Sequence, residues 1–312
     1  MKKILKINFT DFWPDFIKTN NYFYNILISY YDIVIDDTPE ILFYSCFGRE
    51  YLKYNCKRIL YLGENIRPDF TACDFAFSYD YTWRKKHFRL PLYSLYIDHH
   101  KLESKLKKTL TKEEATKIWK NKTKFCCMVV SNPNCKERGS FFKKLSNVKQ
   151  VDSGGKFLNN VGGPVEDKIA FIKDYKFVIS FENSQHDGYT TEKVMESLLV
   201  NSIPIYWGNK KVGDDFNSNR FISYHDYNNE TELINKLIEI DANSDLAIEM
   251  LQESTFSKQK LEHRKERDVV LSHIIKLVNS NKRPISSSFW RYVHRLKLKY
   301  PKTKKYLKIV GV

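Results

Sequence analysis

No apolar run in the sequence approaches the ~20 residues that cross a bilayer. Lys2-Lys3 is followed by only a few apolar residues before Asn8, so no secretory leader is expected either. The six cysteines, at 46, 56, 73, 126, 127 and 135, form no CxxC and no His–Cys spacing of a zinc site. These absences predict a cytoplasmic chain with free thiols. GxGxxG and P-loop motifs are missing, which removes the usual support for nicotinamide or P-loop ATP chemistry. No internal repeat is visible. Acidic residues are absent from 282–312, which carry ten Lys and Arg. Ten of the net +15 charges therefore sit in that tail. With no nucleic-acid motif beside it, the basic balance predicts no nucleic-acid partner.

What is present suits two domains, since 312 residues exceed one typical core. Aromatics reach 15%. Sugar-binding clefts use such faces, although a codon bias toward Phe, Tyr, Ile, Lys and Asn accounts for most of the excess. Short apolar runs at 2–9, 31–35, 40–44, 58–62 and 74–78 have strand length and predict a first α/β domain over 1–121. Leu102, Leu106 and Leu110 predict a solvated surface helix leading to a linker near Lys122. Phe125–Val130 predicts the buried strand that opens a second α/β domain over 122–265, with Cys126 and Cys127 on opposite faces. Residues 266–312 are expected to supply a helix crossing back to the first domain and then a basic amphipathic tail.

One stretch, 176–208, organises the rest. Lys176–Phe181 is an apolar strand, residues 182–188 are a polar loop, and Val194, Met195, Leu198 and Leu199 mark one face of a helix. Ile203–Trp207 is a second apolar strand closed by Gly208. Such a crossover is parallel and right-handed, and ligands of open α/β sheets sit at strand carboxyl ends beside helix N-termini. Singly, each loop residue reads as a solvated side chain. Glu182, Asn183, Ser184, Tyr189, Glu192 and Lys193 between two buried strands read as a binding site. Lys193 suits a phosphate and Glu192 a ribose hydroxyl. Arg138 lies on the carboxyl side of the first strand of its domain, where its fork reaches a diphosphate. Glu64, on the Gly63 turn after 58–62, lies at a strand carboxyl end. Base rates alone make Arg138 and Glu64 surface charges. Asp214-Asp215 is expected to be a turn, not a metal site.

FENSxxxGYxTEK followed by IPIYWG resembles the donor-binding motif of the α-1,3-fucosyltransferases, especially the bacterial Lewis-antigen type. GEN at 63–65, DFAFSYD, RLPLY and SNPNxxxR resemble the same family in order and spacing. The resemblance implies a GT-B fold, two Rossmann-like domains facing across a cleft. It implies GDP-fucose as co-substrate and an inverting transfer of L-fucose to the 3-hydroxyl of GlcNAc or glucose in a lactosamine-type acceptor. It makes Glu64 the general base and Arg138 a phosphate ligand, with Asn183 and Tyr189 as polar supports and no protein-bound metal required. The setting it implies is glycan or lipopolysaccharide synthesis, with the tail peripheral at the inner membrane surface. A transferase of another nucleotide sugar and a non-catalytic nucleotide-sugar-binding protein are the competing readings. If Glu64 is not the base, Asp69, Asp74 and Asp80 are the next carboxylates.

Overall fold

The computed structural model describes residues 2–260 and 262–300. The chain divides into two units, Met1–Pro91 with Leu261–Val312, and Leu92–Lys260. Each unit is built on one sheet, and every ladder between the named strands is parallel. The first unit begins β1 (Lys3–Thr10), α1 (Tyr22–Leu27), β2 (Tyr31–Ile35), β3 (Ile41–Tyr44), β4 (Lys57–Leu62), β5 (Phe75–Ser78) and β6 (His87–Arg89). Its strand order is β2-β1-β3-β4-β5-β6. Strands such as ILFY and FAFS are buried at every position, as a parallel sheet covered on both faces requires. Aromatic rings pack against one another in this core. Phe43 stacks on Phe9 and Phe23 at 5.1 Å each, and Phe23 meets Phe77 at 5.5 Å.

The second unit runs α2 (Leu92–His99), α3 (Glu103–Lys107), α4 (Lys112–Asn121), β7 (Lys124–Met128), α5 (Lys136–Ser146), β8 (Val151–Ser153), α6 (Lys168–Ile172), β9 (Tyr175–Ile179), α7 (Glu192–Leu199), β10 (Ile203–Tyr206), β11 (Ile222–Ser223), α8 (Glu230–Ala242) and α9 (Ser244–Gln252). Its order is β11-β10-β9-β7-β8. Cys126 and Cys127 do pack on opposite faces of β7, in separate buried clusters. The expected surface helix over 98–122 is instead three helices. Lys101, at φ 53°, separates α2 from α3, and a capping box between Thr111 and Glu114 starts α4. Leu106 is buried with Tyr93 and Ile97 against Val194, Met195 and Leu198 of α7. Trp119 of α4 meets Phe177 of β9 at 5.8 Å. This apolar burial draws 92–121 into the second unit, so the division falls after Pro91 and not after residue 121.

The chain then returns to the first unit through α10 (His263–Val278) and α11 (Trp290–Lys299). Lys57 Nζ donates to the carbonyls of Leu277 and Val278 at 2.9 and 3.2 Å, satisfying the open end of α10. Ser286 Oγ donates to the Cys56 carbonyl at 2.8 Å. On α11, Val293, His294 and Lys297 turn inward. His294 Nε2 lies 2.6 Å from the Tyr51 hydroxyl, and Lys297 Nζ lies 3.4 Å from Asp69. Helical spacing along the tail predicts one apolar row of Phe289, Val293, Leu296 and Tyr300, and the structure splits it. Phe289, Tyr292 and Leu296 form the exposed row, and Val293 belongs to the docked face. Pro301 and the basic run 302–308 lie outside the described residues. Among the described residues no helix is long and apolar enough to cross a membrane.

Candidate functional site

The strand order of the second unit reverses at β7, whose neighbours β8 and β9 lie on either side. The carboxyl ends of β7 and β9 therefore diverge there, the place where open α/β sheets hold ligands. The segment after β7 brings Arg138 into the first turn of α5, and the segment after β9 brings Phe181, Glu182 and Asn183. Arg138 Nη1 donates to the Phe181 carbonyl at 3.0 Å and to Asn183 Oδ1 at 3.1 Å, while Nη2 donates to the Asn132 carbonyl. The guanidinium is fully buried, and burial lowers its pKa. Its Nε is buried without a hydrogen-bond partner. Arg138 is thus no surface cation. Gly155 lets the loop after β8 lie against this edge, since a Cβ there would come 1.9 Å from the Val130 carbonyl oxygen.

The loop after β9 leads to α7. Glu182 is 0% exposed. Its Oε1 accepts the Thr191 N–H at 2.7 Å, and Oε2 accepts the Thr191 hydroxyl at 2.7 Å and Lys193 Nζ at 3.2 Å. Lys193 Nζ also donates to Glu192 Oε1 at 3.3 Å. Burial works against the Lys193 charge, but the two carboxylates outweigh it and hold the ammonium above its usual pKa. Burial likewise acts to raise Glu192, yet Lys193 and Lys168 outweigh it and keep that carboxyl below its usual value. Burial pushes the Glu182 carboxyl up. Tyr189 is buried, whereas Asn183 and Ser184 are half-buried. Among the predicted residues, direct bonds join Arg138 to Asn183 and join Lys193 to both Glu182 and Glu192. Glu182 faces none of its oxygens to solvent.

Sequence reasoning stopped at Gly208 and missed Asn209. That side chain is 0% exposed. Its Oδ1 accepts the Gly188 and Lys211 N–H groups at 2.7 and 2.9 Å, and its Nδ2 donates to Thr190 Oγ1 at 2.9 Å. It holds the loop on both sides of Tyr189. An Asn directly after a buried strand and a Gly was the available signal.

In the first unit Glu64 follows β4 and is exposed. Its carbonyl accepts the Ile66 N–H at 2.6 Å, and the adjacent Asn65 Oδ1 accepts the Tyr79 hydroxyl at 2.7 Å. The other three carboxylates are engaged. Asp69 accepts from Thr71 Oγ1 at 2.6 Å and pairs with His294 at 3.2 Å. Asp74 accepts the N–H groups of Arg58 and Ile285 at 2.8 and 2.9 Å, and Asp80 pairs with Arg67. Among the described residues no three His, Cys, Asp or Glu are grouped to hold a metal ion. Asp214 ends a helical turn, and its carbonyl and that of Asp215 accept from Ser257.

The model of the Alpha-(1,3)-fucosyltransferase FucT N-terminal domain matches residues 7–96. That of glycosyltransferase family 10 (fucosyltransferase) C-term matches residues 119–287. The Helicobacter pylori protein named Alpha-(1,3)-fucosyltransferase FucT is 33% identical over 287 residues, covering 80% of this chain. The chain spans only 60% of that relative's length. The human 4-galactosyl-N-acetylglucosaminide 3-alpha-L-fucosyltransferase 9 is 35% identical over 131 residues, 40% of this chain and 36% of that protein. A crystal structure of an α1,3-fucosyltransferase with GDP-fucose superposes with a TM-score of 0.74 at 27% identity, covering 90% of this chain and 92% of the other. A further structure of an α1,3-fucosyltransferase gives 0.77 at 28% identity over 92% and 93%. The two parallel sheets and these neighbours agree with the GT-B fold class.

Proposed function

The chain belongs to glycosyltransferase family 10, the fucosyltransferases, and from that membership we propose that it moves L-fucose from GDP-fucose to the 3-hydroxyl of GlcNAc or glucose in a lactosamine-type acceptor, with inversion. The observation that carries this is the buried Arg138 fork at the strand reversal of the second unit, bonded to Asn183 and with Nε unpartnered. A buried guanidinium beside a helix N-terminus suits the diphosphate of a nucleotide sugar. The complex of a similar enzyme with GDP-fucose supports that choice of donor.

The roles follow from side-chain chemistry. Arg138, Lys193 and the first N–H groups of α7 would meet the charge that grows on GDP as it leaves. Such stabilisation is worth about 2.7–4 kcal/mol per well-placed donor. Glu192 would accept from the ribose. Glu64 would take the proton of the acceptor hydroxyl as that oxygen attacks the anomeric carbon. GDP needs no protonation to leave, so one base is enough, unlike the acid and base pair of inverting glycosidases. With protein cations on the diphosphate, no bound metal is called for, and excess EDTA should leave the rate unchanged. The row of Phe289, Tyr292 and Leu296, with Arg291, Arg295 and Lys299 near it, supports peripheral contact with an anionic membrane such as an inner membrane surface. The test of the transferase reading is GDP-fucose with type 1 and type 2 N-acetyllactosamine acceptors. Fucosylated product with inverted linkage is expected, and no transfer to either acceptor would overturn it.

A further inference from the structure

Thr191 occupies the N-cap position of α7, but its side chain makes no cap bond. A Thr there ordinarily accepts the N–H two or three residues on. Thr111, before α4, does so: its Oγ1 accepts the Glu114 N–H at 3.2 Å. At Thr191 the hydroxyl proton is directed to Glu182 Oε2 at 2.7 Å, and the oxygen accepts Lys193 Nζ at 2.9 Å. The first-turn N–H groups of α7 are thereby left without a side-chain cap.

The carboxylate that causes this is fixed from several sides. The Glu182 N–H donates to the Trp207 carbonyl at 2.9 Å, which ties its backbone to the end of β10. Gly208, at φ 147°, leaves room for its side chain, since a Cβ there would come 2.7 Å from Glu182 Cγ. A fully buried carboxylate is costly unless donors surround it. Here the donors are the Thr191 N–H, the Thr191 hydroxyl and Lys193 Nζ. The four groups form one bonded unit, and removing one leaves the others badly paired.

We propose that Glu182 is a positioning residue for the donor site. It draws the Thr191 hydroxyl off the helix end and anchors Lys193, so that the uncapped first turn of α7 and the ammonium are presented together to a diphosphate. Glu182 does this from behind, without touching the nucleotide. The proposal rests on the donor-site reading above and adds how that site is assembled.

The test is a double-mutant cycle on GDP affinity in the full chain, measured by calorimetry. In Glu182→Gln the side chain keeps its shape, but its amide nitrogen cannot accept from Thr191 or Lys193. GDP binding should weaken at least 10-fold. In a Lys193→Met background the same change should weaken it less than 3-fold, because much of the effect runs through Lys193. A purely structural role would give equal factors in both backgrounds, and that result would overturn the proposal. If Glu182→Gln does not fold, the Thr191 pair decides. Thr191→Val removes the hydroxyl and should weaken GDP about 5- to 10-fold, and Thr191→Ser should restore it. Equal affinities for the Val and Ser variants would also overturn the proposal. Failure of the unsubstituted chain to bind GDP would instead remove the donor-site reading itself.

Discussion

Arg138 and Asn183 are 45 residues apart in sequence and 3.1 Å apart in space, joined by Nη1 and Oδ1 across the diverging ends of β7 and β9. The bond ties the first turn of α5 to the loop that begins the motif at 181–193. Because the same guanidinium also holds the Phe181 and Asn132 carbonyls, it shapes the site as well as charging it.

Arg138→Lys should therefore lose more than its retained charge suggests. Lysine has no fork and cannot hold two strand ends at once. GDP affinity should fall about 10- to 100-fold, as one or two charge-assisted bonds of about 1.5–3 kcal/mol are lost. The melting temperature should fall with it. Calorimetry and thermal denaturation of the same sample check both. An Arg138→Lys variant with unchanged Kd would argue against a diphosphate contact.

Glu64→Gln should keep GDP affinity and lose transfer by roughly 10²–10⁴-fold, the usual worth of a general base. Hydrolysis of the donor by water should suffer less. The motive is exposure: Asp69, Asp74 and Asp80 are all engaged within the first unit, and Glu64 is exposed at a strand carboxyl end. The assay is transfer rate at saturating donor and acceptor. Near-normal turnover would take the base away from this carboxylate.

The fold was legible where burial on two faces leaves a continuous apolar run. Ile203–Tyr206 and Ile41–Tyr44 are of that kind, and both are strands. Edge and short strands were not. His87–Arg89 and Val151–Ser153 have three residues each and mixed polarity, so no period marks them. The site was legible as a list and not as an arrangement. Nothing in FENS tells which of Glu182 and Asn183 turns inward, because that depends on Gly208 and Thr191 arriving from other elements. Helical spacing placed Val293 with Phe289 and Leu296, but it cannot say which face meets Tyr51 and Asp69.

His87 gives a pH dependence. Burial lowers its pKa to about 4, helped by the charge of Arg89, and its Nε2 lies 2.8 Å from Ser78 Oγ. The unfolded chain binds this proton below about pH 6.5 and the folded chain only below about pH 4. Stability from the neutral ring is therefore full above pH 6.5 and is lost as pH falls toward 4, by up to about 2 kcal/mol at pH 5. Thermal denaturation at pH 7.5 and 5.0 should show a smaller drop for His87→Gln than for the unsubstituted chain. Equal drops would mean that His87 titrates normally.

The outward row of α11 can be tested without disturbing its docked face. Phe289→Ser, Tyr292→Ser and Leu296→Ser combined leave Val293, His294 and Lys297 in place. Sedimentation with vesicles rich in anionic lipid should fall severalfold for this variant, with melting temperature unchanged. Equal sedimentation would exclude this row as the contact. Truncation after Ser280 is a poorer test, because it removes the Ser286 and His294 bonds of the first unit.

The return of α10 and α11 to the first unit bears on synthesis. A nascent chain offers β1 to β6 first, then the whole contiguous second unit, and the closing helices last. While the second unit is being made, the backbone N–H of Ile285 that Asp74 accepts and the carbonyls that Lys57 caps do not yet exist. The second unit, all of whose strands lie between 124 and 223, can complete its sheet during that interval. Chains stalled after Lys260 should thus protect 92–260 from protease while 2–91 remain cleavable. The order of maturation would then be the reverse of the order of translation.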